Sequence, residues 1–99
     1  MKKIPIIDIK VQDWTKPLLL PMGWYKSHET IHTIKWQNDQ MEKFVQISDL
    51  YKDIPWAVVF GFLDNDGEWK YYIKYEFNTK QEAIDKSLAF MKKMSESWY

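Results

Sequence analysis

The clearest pattern in the chain runs from Ile54 to Tyr75: an uninterrupted apolar run, a short polar turn, and a second run in which apolar and charged residues alternate. Trp56-Ala57-Val58-Val59-Phe60-Gly61-Phe62-Leu63 carries no charge and is rich in β-branched and aromatic side chains, which marks a central strand. Asp64-Asn65-Asp66-Gly67-Glu68 supplies the turn. Beyond it Trp69, Tyr71, Ile73 and Tyr75 alternate with Lys70, Lys74 and Glu76, the period of two of a strand, and Tyr72 is the exception.

Two turns compete, a two-residue Asp66-Gly67 loop and a three-residue Asn65-Asp66-Gly67 loop with Gly67 in the left-handed bulge position. The longer loop sets Leu63 against Trp69, Gly61 against Tyr71, Val59 against Ile73 and Ala57 against Tyr75, so that small residues face large ones on one apolar surface. The shorter loop mixes apolar and charged rows, so the three-residue register is preferred, with aromatic rings covering Gly61 and Ala57. A second surface then holds Trp56, Val58, Phe60 and Phe62 with Lys70, Tyr72, Lys74 and Glu76. Either the rest of the chain covers that surface or a partner does.

Thr79-Lys80-Gln81-Glu82 is a capping box opening a helix. Ile84, Leu88, Met91, Met94 or Ser95, and Trp98 follow at helical spacing, with Ala83, Ser87 and Phe90 alongside. This stripe is expected to lie on the hairpin surface bearing Leu63, Trp69, Tyr71 and Ile73.

Upstream, Ile4 to Val11 reads as a first strand, and Asp13 to Gly23, broken by Pro17 and Pro21, as a loop laid on the core. Trp24 to Trp36 is one long bent strand or two strands broken near Ser27-His28-Glu29; the β-branched Thr30-Ile31-His32-Thr33-Ile34 disfavours a helix. Between Gln37 and Lys52 the recurrence of Met41, Phe44, Val45 and Ser48 suggests a short helix capped by Asn38 or Asp39. Phe44-Val45-Gln46-Ile47 as a strand is the alternative. Together these elements predict an α+β fold: a small antiparallel sheet of three to five strands, a C-terminal amphipathic helix on one face and a short middle helix. With 99 residues, the expectation is a single domain over 1–99, too short for a second core.

Composition narrows the chemistry. The chain has no cysteine, which removes disulfides, thiolate nucleophiles and zinc–thiolate sites. Met1-Lys2-Lys3 resembles the basic start of an export signal, yet Asp8 interrupts before an adequate apolar segment forms. Uncharged stretches fall short of the ~17 residues that span a bilayer. A soluble, cytoplasmic protein without a membrane partner is expected.

The formal net charge is zero but unevenly spread. Residues 1–36 hold six lysines against three acids (+3), residues 37–68 two lysines against seven acids (−5), and residues 69–99 six lysines against four acids (+2). Every basic residue other than histidine is lysine, which argues against bidentate base or phosphate reading by arginine.

His28-Glu29-Thr30-Ile31-His32 matches H-E-x-x-H, in which a helix brings two imidazoles to one zinc ion and leaves the glutamate to activate water. In a strand the two rings would stand about 13 Å apart at ~3.3 Å per residue, too far for one ion. A zinc-dependent hydrolase using His28 and His32 is therefore only a minor alternative. The acidic turn 64–68 lacks the frame of a calcium loop and is explained by a hairpin. No catalytic residue and no cofactor are assigned.

Two binding accounts follow. In the leading one, this is a small intracellular protein-binding or regulatory module that acts by occupying a surface, with Trp36, Asp39, Glu42, Asp49, Tyr51 and Asp53 meeting a partner protein's basic surface. The alternative is single-stranded nucleic acid stacked on Trp56, Phe60 and Tyr72, with Lys70 and Lys74 meeting phosphate. A homodimer is left open.

Overall fold

The computed structural model describes residues 20–98, with side chains to Glu96. The strand expected over 4–11 and most of the loop expected over 13–23 lie outside the described residues. What is described is a five-stranded antiparallel meander followed by one helix: β1 (Tyr25–Glu29), β2 (Thr33–Asn38), β3 (Lys43–Ser48), β4 (Trp56–Leu63), β5 (Trp69–Phe77) and α1 (Lys80–Trp98). The strands lie in the sheet in chain order, so every described connection between strands is a local one.

The hairpin of β4 and β5 adopts the three-residue loop. Leu63 faces Trp69, Gly61 faces Tyr71 and Val59 faces Ile73. Gly67 takes φ 82°, the left-handed conformation a bulged turn requires, and its N–H reaches the Asp64 carbonyl at 3.1 Å. Past Ile73 the expected pairing fails. Lys74 is an extra residue, so Tyr75 faces Val58 and Glu76 faces Ala57. The bulge turns Tyr75 and Phe77 onto the face they would otherwise have avoided.

That rotation bears on where the helix packs. α1 lies over Ile34 and Trp36 of β2, Val45 and Ile47 of β3, and Val58 of β4, with Trp56, Phe60, Tyr75 and Phe77 around them. This is the opposite surface from the one expected, which bears Leu63, Trp69, Tyr71 and Ile73. The reason is sheet-wide: on β2 and β3 the helix side carries Ile34, Trp36, Val45 and Ile47, while the far side carries Lys35, Gln37 and Gln46. The helix follows the apolar majority of all strands rather than of one hairpin.

The middle helix is absent, and β3 stands in its place. Phe44 and Val45 are both buried but point to opposite faces, so the apolar run of a central strand fell by chance into helical spacing. Asn38 does use capping chemistry, but in the turn between β2 and β3, where its Oδ1 accepts the Met41 N–H at 3.0 Å. The long segment 24–36 divides into two strands, with the reversal at Thr30–His32 rather than at 27–29. There Thr30 Oγ1 accepts the N–H groups of His32 and Thr33, each at 3.1 Å.

The helix begins as its sequence requires. Thr79 Oγ1 accepts the Glu82 N–H and a Glu82 carboxylate oxygen accepts the Thr79 N–H, both at 3.2 Å. Ala83, Ser87 and Met91 are its fully buried positions, with Ile84, Leu88 and Met94 half-buried beside them. Near its far end, Trp24 Nε1 donates to Ser95 Oγ at 2.9 Å, tying the start of β1 to the helix. Lysine stems close the rim: Lys86 lies 4.7 Å from the Tyr75 ring, Lys74 5.3 Å from Phe90 and Lys80 5.7 Å from Trp56.

Candidate functional site

The residues singled out from sequence are not gathered in one place. His28 sits on β1 and His32 in the following turn, so the H-E-x-x-H residues straddle a strand end and a reversal instead of one helix face. His32 Nδ1 instead lies 2.9 Å from Asp49. Among the described residues no group of three or more His, Cys, Asp or Glu side chains is arranged to hold a metal ion.

Of the acidic set, Asp39 and Glu42 occupy the turn between β2 and β3, whereas Asp49 and Asp53 occupy the connection between β3 and β4 at the other end of the sheet. Without a middle helix they share no face. Trp36 is only 5% exposed and belongs to the core beneath the helix. Tyr51 is half-buried on the opposite side, packed against Phe44, Ala57 and Val59.

The nucleic-acid set lies on the helix side. Phe60 meets the Phe90 ring edge at 5.3 Å and Trp56 is overlain by Lys80. Lys70 is held by Glu68 at 3.0 Å and Asp64 at 3.2 Å, and these carboxylates raise its pKa, the Glu68 hydrogen bond most. Tyr72 stays accessible at the sheet edge.

Among the described residues, the surface without cover is the other one. β5 presents Trp69, Tyr71 and Ile73 there at 44%, 65% and 37% exposure. Next to them on the same face stand Leu63, Gly61 and Val59 of β4, then Phe44 of β3. Phe44 lies across Gly61 so closely that a Cβ at position 61 would run into its ring, and it meets Trp69 at 5.7 Å. Thus Gly61 is covered by a ring from β3, a neighbour that the hairpin pattern alone did not indicate. Lys35 stands 4.5 Å over the outer side of Phe44. Tyr51, packed on the same side against Ala57 and Val59, has its phenol pKa raised by burial and, less, by the nearby Tyr71.

One end of the sheet is acidic. The β2–β3 turn and the β4–β5 turn meet there, joined by the Leu63 N–H donating to the Glu42 carbonyl at 3.0 Å. Asp39, Glu42, Asp64, Asp66 and Glu68 therefore share an end with Lys43 and Lys70. Asp39 accepts the Tyr25 hydroxyl at 2.9 Å, which lifts the pKa of that phenol. Asp64 Oδ1 accepts the Glu68 N–H at 3.0 Å and the Asp66 N–H at 2.8 Å, and these bonds, Glu68 foremost, hold its carboxyl below the usual range against a smaller opposing effect of burial.

No known family model, curated protein or solved structure matches this chain. No described helix is long and apolar enough to cross a membrane.

Proposed function

We propose that this chain is a non-catalytic protein-binding module, intracellular, whose contact surface is the sheet face turned away from α1. The observation that carries this reading is the row Trp69, Tyr71 and Ile73, exposed beside Phe44 and Leu63 and without cover among the described residues. Contiguous aromatic surface of this kind is uncommon on a face that meets only water, and Trp and Tyr are the side chains most often found at the centre of protein interfaces.

At the acidic end of the sheet Asp39, hydrogen-bonded to Gln37 on this face, and Glu42 in the same turn favour a partner with basic residues flanking an apolar centre. This keeps the chemistry expected from the acidic middle of the sequence but moves its anchor from Trp36 to Trp69 and Tyr71. The test compares capture from native lysate by the wild-type chain and by a Trp69→Ala, Tyr71→Ala double variant whose fold is checked by circular dichroism. A partner held by the wild type and retained about tenfold less by the variant supports the reading. Equal capture by both chains overturns it.

A further inference from the structure

We infer that the outer edge of β5 pairs with the same edge of a second copy of this chain, antiparallel and in one register, with Tyr71 on the two-fold axis. The backbone directions come first. The Leu63 N–H is donated to Glu42, away from β5, while Asp64 donates to Glu68 at 2.9 Å. The Leu63–Trp69 pair is therefore a non-hydrogen-bonded pair, and the alternation of an antiparallel ladder turns the N–H and C=O groups of Trp69, Tyr71 and Ile73 outward. The pairing of β5 with β4 is regular over these residues and shifts only at Lys74. Among the described residues β5 has β4 as its one neighbour.

Centring two such edges on Tyr71 brings every outward group opposite a complement. Trp69 meets the partner's Ile73 and Tyr71 meets the partner's Tyr71, all on the face turned away from α1. On the helix side, Lys70 meets the partner's Tyr72, and Glu68 meets the partner's Lys74. Glu68 and Lys70 point to that side together, joined at 3.0 Å, and Lys74 lies there against Tyr72 and Phe90. The two-fold repeats each pair, so the register holds two cross-copy Glu68–Lys74 contacts and two Lys70–Tyr72 contacts.

Lysines on an edge strand ordinarily deter indiscriminate pairing. Here they select: in this register each meets a carboxylate or a ring, and the bulge at Lys74 ends the pairable stretch just beyond Ile73. The inference goes beyond the proposed function, because it concerns the strand edge and stands whether or not the sheet face has another partner.

Sedimentation of the full chain from about 1 μM to about 1 mM measures the association. The expectation is a concentration-dependent dimer, weakened about tenfold by Glu68→Lys and by Lys74→Glu separately, since each sets like charges opposite one another twice. Mixing those two variants restores opposite charges at both contacts, and heterodimers form at wild-type strength. This recovery shows that neither variant failed by misfolding. A wild-type chain that is monomeric throughout, as it would be if residues 4–11 of the same chain occupied the edge, overturns the inference. So does a dimer insensitive to either charge reversal, or one that mixing does not restore.

Discussion

The two faces of the sheet are built from the same strands, and on β4 from equally apolar residues, yet α1 closes only one of them. Val58 and Val59 are adjacent and both buried, one beneath the helix and one beneath Tyr51 and Ile54. The difference arises away from β4. On the helix side Ile34, Trp36, Val45 and Ile47 extend the apolar surface across two further strands, and the bulge adds Tyr75 and Phe77. On the open side Lys35, Gln37 and Gln46 end it at Phe44. A helix stripe that buries Ala83, Ser87 and Met91 needs breadth as well as hydrophobicity, and only one side has it.

The largest effect that would test this contrast is on the closed face. Met91→Ala removes a side chain with no exposure from beneath the sheet and is expected to cost ~2–5 kcal/mol in denaturant unfolding. A loss below about 1 kcal/mol would mean that the helix is not what closes that surface.

Gly61→Ala comes next. Its new Cβ would meet the Phe44 ring, and overpacking there should cost ~1–3 kcal/mol. Pairing it with Phe44→Leu should recover part of the loss, and strict additivity in the double-mutant cycle would contradict the contact.

Thr79→Ala, which removes the helix cap without touching either face, is expected to cost ~1 kcal/mol. Tyr71→Ser, at the most exposed aromatic ring of the open face, should change monomer stability by no more than ~0.5 kcal/mol. A larger loss would show that the open face is part of the core after all.

The smallest expected effect is a response to acid. Because the Asp64 carboxyl is held below its ordinary value near 3.9, its contribution is complete above that value and disappears as pH falls through the lower folded one. The Glu68 amide should lose exchange protection in that acid range, and Asp64→Asn should flatten the dependence.

Much of this architecture was legible in the residues. Asn65-Asp66-Gly67 and the small-against-large rows fixed the hairpin as far as Ile73, and Thr79 with Glu82 fixed the start of the helix. The bulge was not legible, because Lys74 fits the alternation of β5 equally well whether or not it is paired. β3 misled for a different reason: a strand buried on both faces loses its period of two. With Phe44-Val45-Gln46-Ile47 as the strand it is, the matched parity of Ile34 and Trp36 with Val45 and Ile47 points to the side the helix takes. The acidic residues were a fair guide to composition but a poor one to location, since a six-residue strand separates Asp39 and Glu42 from Asp49 and Asp53 by about 20 Å.

The extra residue at Lys74 gives β5 two occupations. Its first half, Trp69 to Ile73, offers aromatic rings outward, and its second half delivers Tyr75 and Phe77 to the helix. Were Lys74 instead paired with Val58 in a regular ladder, every side chain after it would change sides: the helix would lose two of the rings it rests on, and the opposite surface would become greasier by the same two. In this sheet a single unpaired residue decides how the hydrophobic surface is divided between folding and association.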